Sequence, residues 1–165
     1  MATTYDPIAT TTLGSAAASI TFSSISSAYT DLRLVMTQTN TDNVSPRLRL
    51  NSDTGSNYSI TILEGQGTAA SSYAYTSQTF AYLAQYASDP TSPSLITIDF
   101  MSYSGSTNKT FLITTSNDKN GSGSVERVVG LYRSTSALST VLLYLGGTSN
   151  FAIGTTATLY GIKNA

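Results

Sequence analysis

Cysteine, histidine and tryptophan are all absent from this 165-residue chain, and charged residues make up only 10% of it. Without cysteine there are no disulfides, no thiolate metal site and no cysteine nucleophile. Without histidine, the Ser-His-Asp and Cys-His nucleophile arrangements are closed, and so are the usual zinc sites. Five Arg and three Lys, with no basic run, do not make a surface that tracks nucleic-acid phosphates. No apolar stretch approaches the ~20 residues of a membrane span. The opening MATTYDPIATTTLGSAAAS has neither a basic n-region nor an apolar h-region, so no secretory signal is read there.

What is present is Ser and Thr, together about a third of the chain, with 40% hydrophobic residues and a formal net charge of −1. Low charge with this much apolar content argues against disorder. The length suits one domain, or one domain with an arm.

The dominant period is two, the mark of half-buried strands. TDLRLVMTQT aligns Leu32, Leu34 and Met36 on one face; PRLRLN sets Leu48 and Leu50 against Arg47 and Arg49. NYSITILE aligns Tyr58, Ile60 and Ile62, and SLITIDFMSY aligns Ile96, Ile98 and Phe100. KTFLITTS aligns Phe111 and Ile113, while VERVVGLYR aligns Val125, Arg127, Val129 and Leu131. LSTVLLYLG is apolar on both faces and reads as a central strand; ASITFS opens the folded part and TATLYGI closes it. Turns fall at 51–57, 87–94, 103–108 and 117–124, where Gly, Pro, Asn, Asp and Ser concentrate. Asn120-Gly121 signals a hairpin turn. TFAYLAQYAS (79–88) is the best helix candidate, with Phe80, Leu83 and Ala87 on one face, although its tyrosines also suit a strand. About ten short strands and no long helix predict a single all-β antiparallel sandwich, jelly-roll-like or immunoglobulin-like. Residues 1–14 lack alternation and read as an N-terminal arm or edge strand, leaving 15–165 as the sandwich domain.

Three constellations could carry chemistry. Seven Asp and two Glu offer carboxylates, but most Asp lie in turns and no spacing fixes an acid–base pair. Asp99, inside ITIDF, alternates away from Ile98 and Phe100, toward solvent or an interface. Asn51, Asp53, Gly55 and Asn57 resemble a fragment of a calcium loop but lack its full spacing and terminal Glu, so an Asx-rich turn is expected. No cofactor, metal or catalytic residue is therefore assigned. The third constellation is aromatic: Tyr73, Tyr75, Phe80, Tyr82 and Tyr86 fall within one short segment of a chain with eleven Tyr. Rigid rings with polar tips suit interfaces and sugar-stacking surfaces as well as the ends of a core. With Tyr5 and Ile8 in the arm, they form the predicted interaction set.

Five strings run in order: ATTTLGSAAASITFSSISSAYTDLRLV, RLRLNSDTGSNYSIT, ITIDFMSYSGSTNKTFLI, VGLYRSTSALSTVLLYL and FAIGTTATLYGI. This pattern, from about residue 8 to 162, resembles small virion structural proteins of tailed bacteriophages, many of them marine and cyanobacterial phages. The matching strings are structural, and no functional residue is carried over from them. The resemblance implies a non-enzymatic β-sandwich on the virion, at the capsid surface or the tail. A compact chain fits a capsid decoration (cement) protein that bridges subunits of the major capsid protein, as a homotrimer or another symmetric oligomer. The alternative is a tail- or fibre-associated module that contacts host surface glycan. Neither role involves nucleic acid or a membrane.

Overall fold

The computed structural model describes residues 4–85 and 90–163. All regular structure in them is strand: β1 (Tyr5–Thr12), β2 (Ser19–Phe22), β3 (Asp31–Gln38), β4 (Arg47–Leu50), β5 (Tyr58–Gln66) and β6 (Ala69–Gln78). There follow β7 (Ala81–Tyr82), β8 (Ser94–Phe100), β9 (Lys109–Asn117), β10 (Ser124–Tyr132), β11 (Val141–Tyr144) and β12 (Thr156–Ile162). Eight form one antiparallel sheet, in the order β1-β12-β3-β8-β9-β10-β5-β6, and four form a second, β2-β11-β4-β7. The chain crosses between the sheets after β1, β2, β3, β4, β6, β7, β10 and β11, which is the alternation of a jelly roll.

Period-two patterning produces the layers. Leu34, Ile98, Ile113, Val128 and Ile62 lie opposite one another across five adjoining strands and are fully buried. From the smaller sheet, Ile20, Phe22, Leu48, Leu50, Val141 and Leu143 face them in the same core. β11 is central in its sheet, between β2 and β4. One glycine is needed for this packing: a Cβ on Gly130 would sit 2.1 Å from the Phe111 ring, which lies across β10 at that point. The β9–β10 hairpin turns through Asn120 and Gly121, both at positive φ (55° and 90°).

One element differs from the expectation, and others are settled only by the structure. The Val125, Arg127, Val129 and Leu131 face is the outer one; Glu126, Val128, Gly130 and Tyr132 point inward. Either phase of this strand carries apolar residues, so alternation alone does not choose between them. Residues 79–85 do not form a helix; the rest of that candidate, 86–88, lies outside the described residues. Ala81 and Tyr82 pair β7 with β4, and the Leu83 N–H donates to the Pro46 carbonyl at 2.8 Å. These backbone groups are directed to other elements and not to one another along a helix. β6, AASSYAYTSQ, has small and aromatic residues but no aliphatic alternation, because it is an edge strand with mostly exposed side chains. Of the two readings of the N-terminal stretch, arm or edge strand, Tyr5–Thr12 take the second: they pair along β12 at the opposite edge, with a bulge at Ile8.

Candidate interaction surfaces

The outer face of the larger sheet is broad and almost uncharged. Leu63, Leu95, Val125 and Val129 are each about half exposed or more on it. Across β5, β10 and β9 its outward residues are Ser, Thr, Gly, Val and Leu, with Arg127 the single charge. On β3 and β8 the one charged pair neutralises itself. Arg33 Nε donates to Asp99 Oδ1 at 2.6 Å and Nη2 to Oδ2 at 3.0 Å, directly across the strands. The Asp99 hydrogen bond raises the Arg33 pKa. Farther along, cross-strand hydroxyls join Thr10 to Thr158 (3.0 Å) and Thr12 to Thr156 (3.1 Å). Exposed aliphatics in a neutral setting lose little on desolvation, so the face suits broad contact with another protein.

The predicted set falls in two places: Tyr75, Tyr82 and Phe80 touch in series, with the Tyr75 and Tyr82 centroids 5.6 Å apart, whereas Tyr5 and Ile8 lie on β1 at the opposite edge of the larger sheet. Tyr73 and Tyr75 lie on β6 and pack against the core edge. Tyr73 stands opposite Ile62, and the Tyr75 hydroxyl bonds the Gln85 side-chain amide (2.9 and 3.1 Å). Phe80 and Tyr82 meet edge to face, with centroids 5.0 Å apart, on the outer side of the smaller sheet. Tyr5 is exposed at the other end of the molecule, where Arg33 Nη1 donates to its hydroxyl at 3.3 Å. Ile8 is half-buried against the core at the β1 bulge. Tyr86 lies outside the described residues.

Three residues absent from that set complete the cluster around Phe80: Arg47, Arg49 and Tyr144. The Arg47 guanidinium lies 4.4 Å from the Phe80 centroid and that of Arg49 lies 4.8 Å from the Tyr144 centroid. A Cβ on Gly146 would meet the Arg47 guanidinium at 2.6 Å, so the arginine is tucked beneath that glycine. Each cation covers one face of its ring and leaves only the other for a stacking sugar. The RLRL alternation, set beside VLLY, was the available signal. It placed both arginines on one face but did not say what lay next to them.

The most unusual inward-facing groups are Glu64 and Glu126, the only two glutamates. They stand directly opposite each other on β5 and β10, at 3% and 1% exposure. The Gln85 N–H donates to Glu126 Oε2 at 2.6 Å, and Thr115 Oγ1 donates to the Leu83 carbonyl at 2.6 Å. The Leu83–Gln85 stretch thus lies against this polar end of the core. Burial first, and the Glu126 charge second, push the Glu64 carboxyl above its ordinary value, against a hydrogen bond from Tyr73. This is the in-register carboxylate pair that spacing could not fix, because it depends on the β5–β10 register. Its burial keeps it from any substrate the size of a glycan. Lys109 is likewise buried, its ammonium donating to the Gly105 and Thr107 carbonyls and closing the loop before β9.

At 51–57, Asp53 Oδ1 accepts the Gly55 N–H (2.7 Å) and Oδ2 accepts from Asn57 Nδ2 (2.8 Å), an Asx turn. These bonds lower the Asp53 pKa. Among the described residues, no group of three or more Asp or Glu is placed to hold a metal ion. Fold and surfaces together define an antiparallel jelly-roll sandwich whose accessible features are faces and edges. No protein-family model matches the chain, and no curated protein is found to resemble it.

Proposed function

We propose that this chain is a non-enzymatic virion structural protein of a tailed bacteriophage, acting as a capsid decoration protein that bridges subunits of the shell. The observation that carries the reading is the outer face of the larger sheet, where Leu63, Leu95, Val125 and Val129 stand exposed in a nearly uncharged Ser/Thr field. The sequence resemblance supplies the virion setting; the face supplies a means of broad contact with the major capsid protein or another virion protein. A symmetric oligomer, a trimer among them, belongs to the same reading. A tail-associated, glycan-contacting role has less support, since guanidinium groups lie over the Phe80 and Tyr144 rings. The non-enzymatic part of the reading draws on the burial of the Glu64–Glu126 pair.

Counting copies on intact particles, by cryo-electron microscopy or quantitative band analysis, tests the proposal. Copies by the hundred on the icosahedral shell are expected. A few dozen at the tail, or none on particles, would overturn the decoration role.

A further inference from the structure

The two ends of the larger sheet are treated differently. At one end, β1 carries Pro7, a bulge at Ile8 and the Asp6–Lys163 ion pair (3.0 Å), all features that discourage another strand from adding. At the other end, β6 has no proline and no charge from Ala69 to Gln78. Its register shift falls between Tyr75 and Gln78, where Ser77 has φ 53°. That leaves Ala69–Tyr75 as a regular run, paired residue by residue with β5 on one side. Ala69, Ala70, Ser71 and Ser72 are exposed. The edge strands of the smaller sheet, β2 and β7, have only four and two residues. Among the described residues, β6 is therefore the one long, unguarded edge.

Its sequence is self-complementary in size. If a two-fold axis passes at Ser72, antiparallel pairing sets Tyr75 opposite Ala69 of the second copy, Tyr73 opposite Ser71, and Ala74 opposite Ala70. Each ring then meets a small residue on the inward side, and only Ala and Ser meet on the outward side. We propose that two copies of this chain associate through β6, joining their eight-stranded sheets edge to edge about a two-fold axis at Ser72. The second copy is favoured over an unrelated strand because the size pattern reads the same in both directions and no charge on the edge asks for a complementary partner. A seven-residue run spans about 24 Å. That places the contact at the small end of specific interfaces, so association is expected at about micromolar concentration.

The proposal stands apart from the virion reading, because it concerns the isolated protein in solution. Sedimentation velocity from about 1 to 100 µM tests it on the wild type, Ser72→Lys and Ser72→Glu. Ser72 is exposed, and each variant should melt as the wild type does. The wild type should dimerise. Each variant alone, with like charges facing across the axis, should dissociate at concentrations at least about tenfold higher than the wild type. An equimolar mixture of the two variants should recover the dimer. A wild type that stays monomeric at about 100 µM overturns the proposal. So does a Ser72→Lys protein that dimerises like the wild type, or a mixture that remains monomeric.

Discussion

Glu64 and Glu126 set the pH response at the scale of single residues. Like charges directly opposite on adjacent strands repel, and here water does not screen them. The Glu64 carboxyl titrates above its ordinary 4.5, so the folded state favours its protonated form. The resulting stability is complete below about pH 4.5 and is lost as pH rises through the raised value. Asp53 acts in the opposite sense: its carboxyl is held below 3.8, and its contribution is lost only as pH falls through that lower value. Glu64→Gln keeps the shape and removes one charge. It should stabilise the protein at pH 7 by about 1 kcal/mol and flatten the decline in stability between pH 4.5 and 7. Urea unfolding across that range would show it; a variant less stable than the wild type at pH 7 would refute the assignment.

At the scale of elements, the β9–β10 pair is held by a fit between a glycine and a ring. Gly130→Ala would drive a methyl into Phe111 and should cost about 1–3 kcal/mol in denaturant unfolding. An unchanged midpoint would mean the ring moves freely. This contact was not legible in the sequence, where Gly130 reads only as a weak spot in a strand. What could be read was whatever alternation controls by itself: Leu32, Leu34 and Met36 inward on β3, Ile96, Ile98 and Phe100 inward on β8, and the positive-φ turn at Asn120-Gly121. Strands with apolar residues in both phases, such as β10, take their phase from neighbours remote in the chain. β6 offered no aliphatic period because at the sheet edge only Tyr73 and Tyr75 of its inward side pack against the core and the rest of the strand is mostly exposed. The aromatic segment showed its residues but not that they bridge the two sheets, where Tyr75 on β6 meets Tyr82 on β7 and Tyr82 meets Phe80. Arg47, Arg49 and Tyr144 join them only through the β11–β4–β7 pairing.

The whole molecule presents one face of neutral aliphatics and hydroxyls. Replacing both Val125 and Val129 with Lys would change that face without touching the core. Exposed substitutions of this kind alter stability by about 0.5 kcal/mol or less. The double variant should therefore melt like the wild type yet fail to bind particles stripped of the protein, read as loss of co-sedimentation. Full binding by the variant would move the contact to another surface.

The pairing of β1 with β12 has a consequence in time. Tyr5 lies opposite Ile162, and β12 is inserted between the first strand and β3. During synthesis, β1 must wait for β12 before it has this partner, and β3 lacks one neighbour until the same moment. Closing so long a loop is slow compared with forming a hairpin. The β9–β10 and β5–β6 hairpins can form as soon as they leave the ribosome, whereas one end of the sheet is sealed only once β12 has been made. A stop codon just before Thr156 would remove seven residues of strand but undo two pairings at once, and the nascent chain would keep β1 and one side of β3 open to whatever strand it met first.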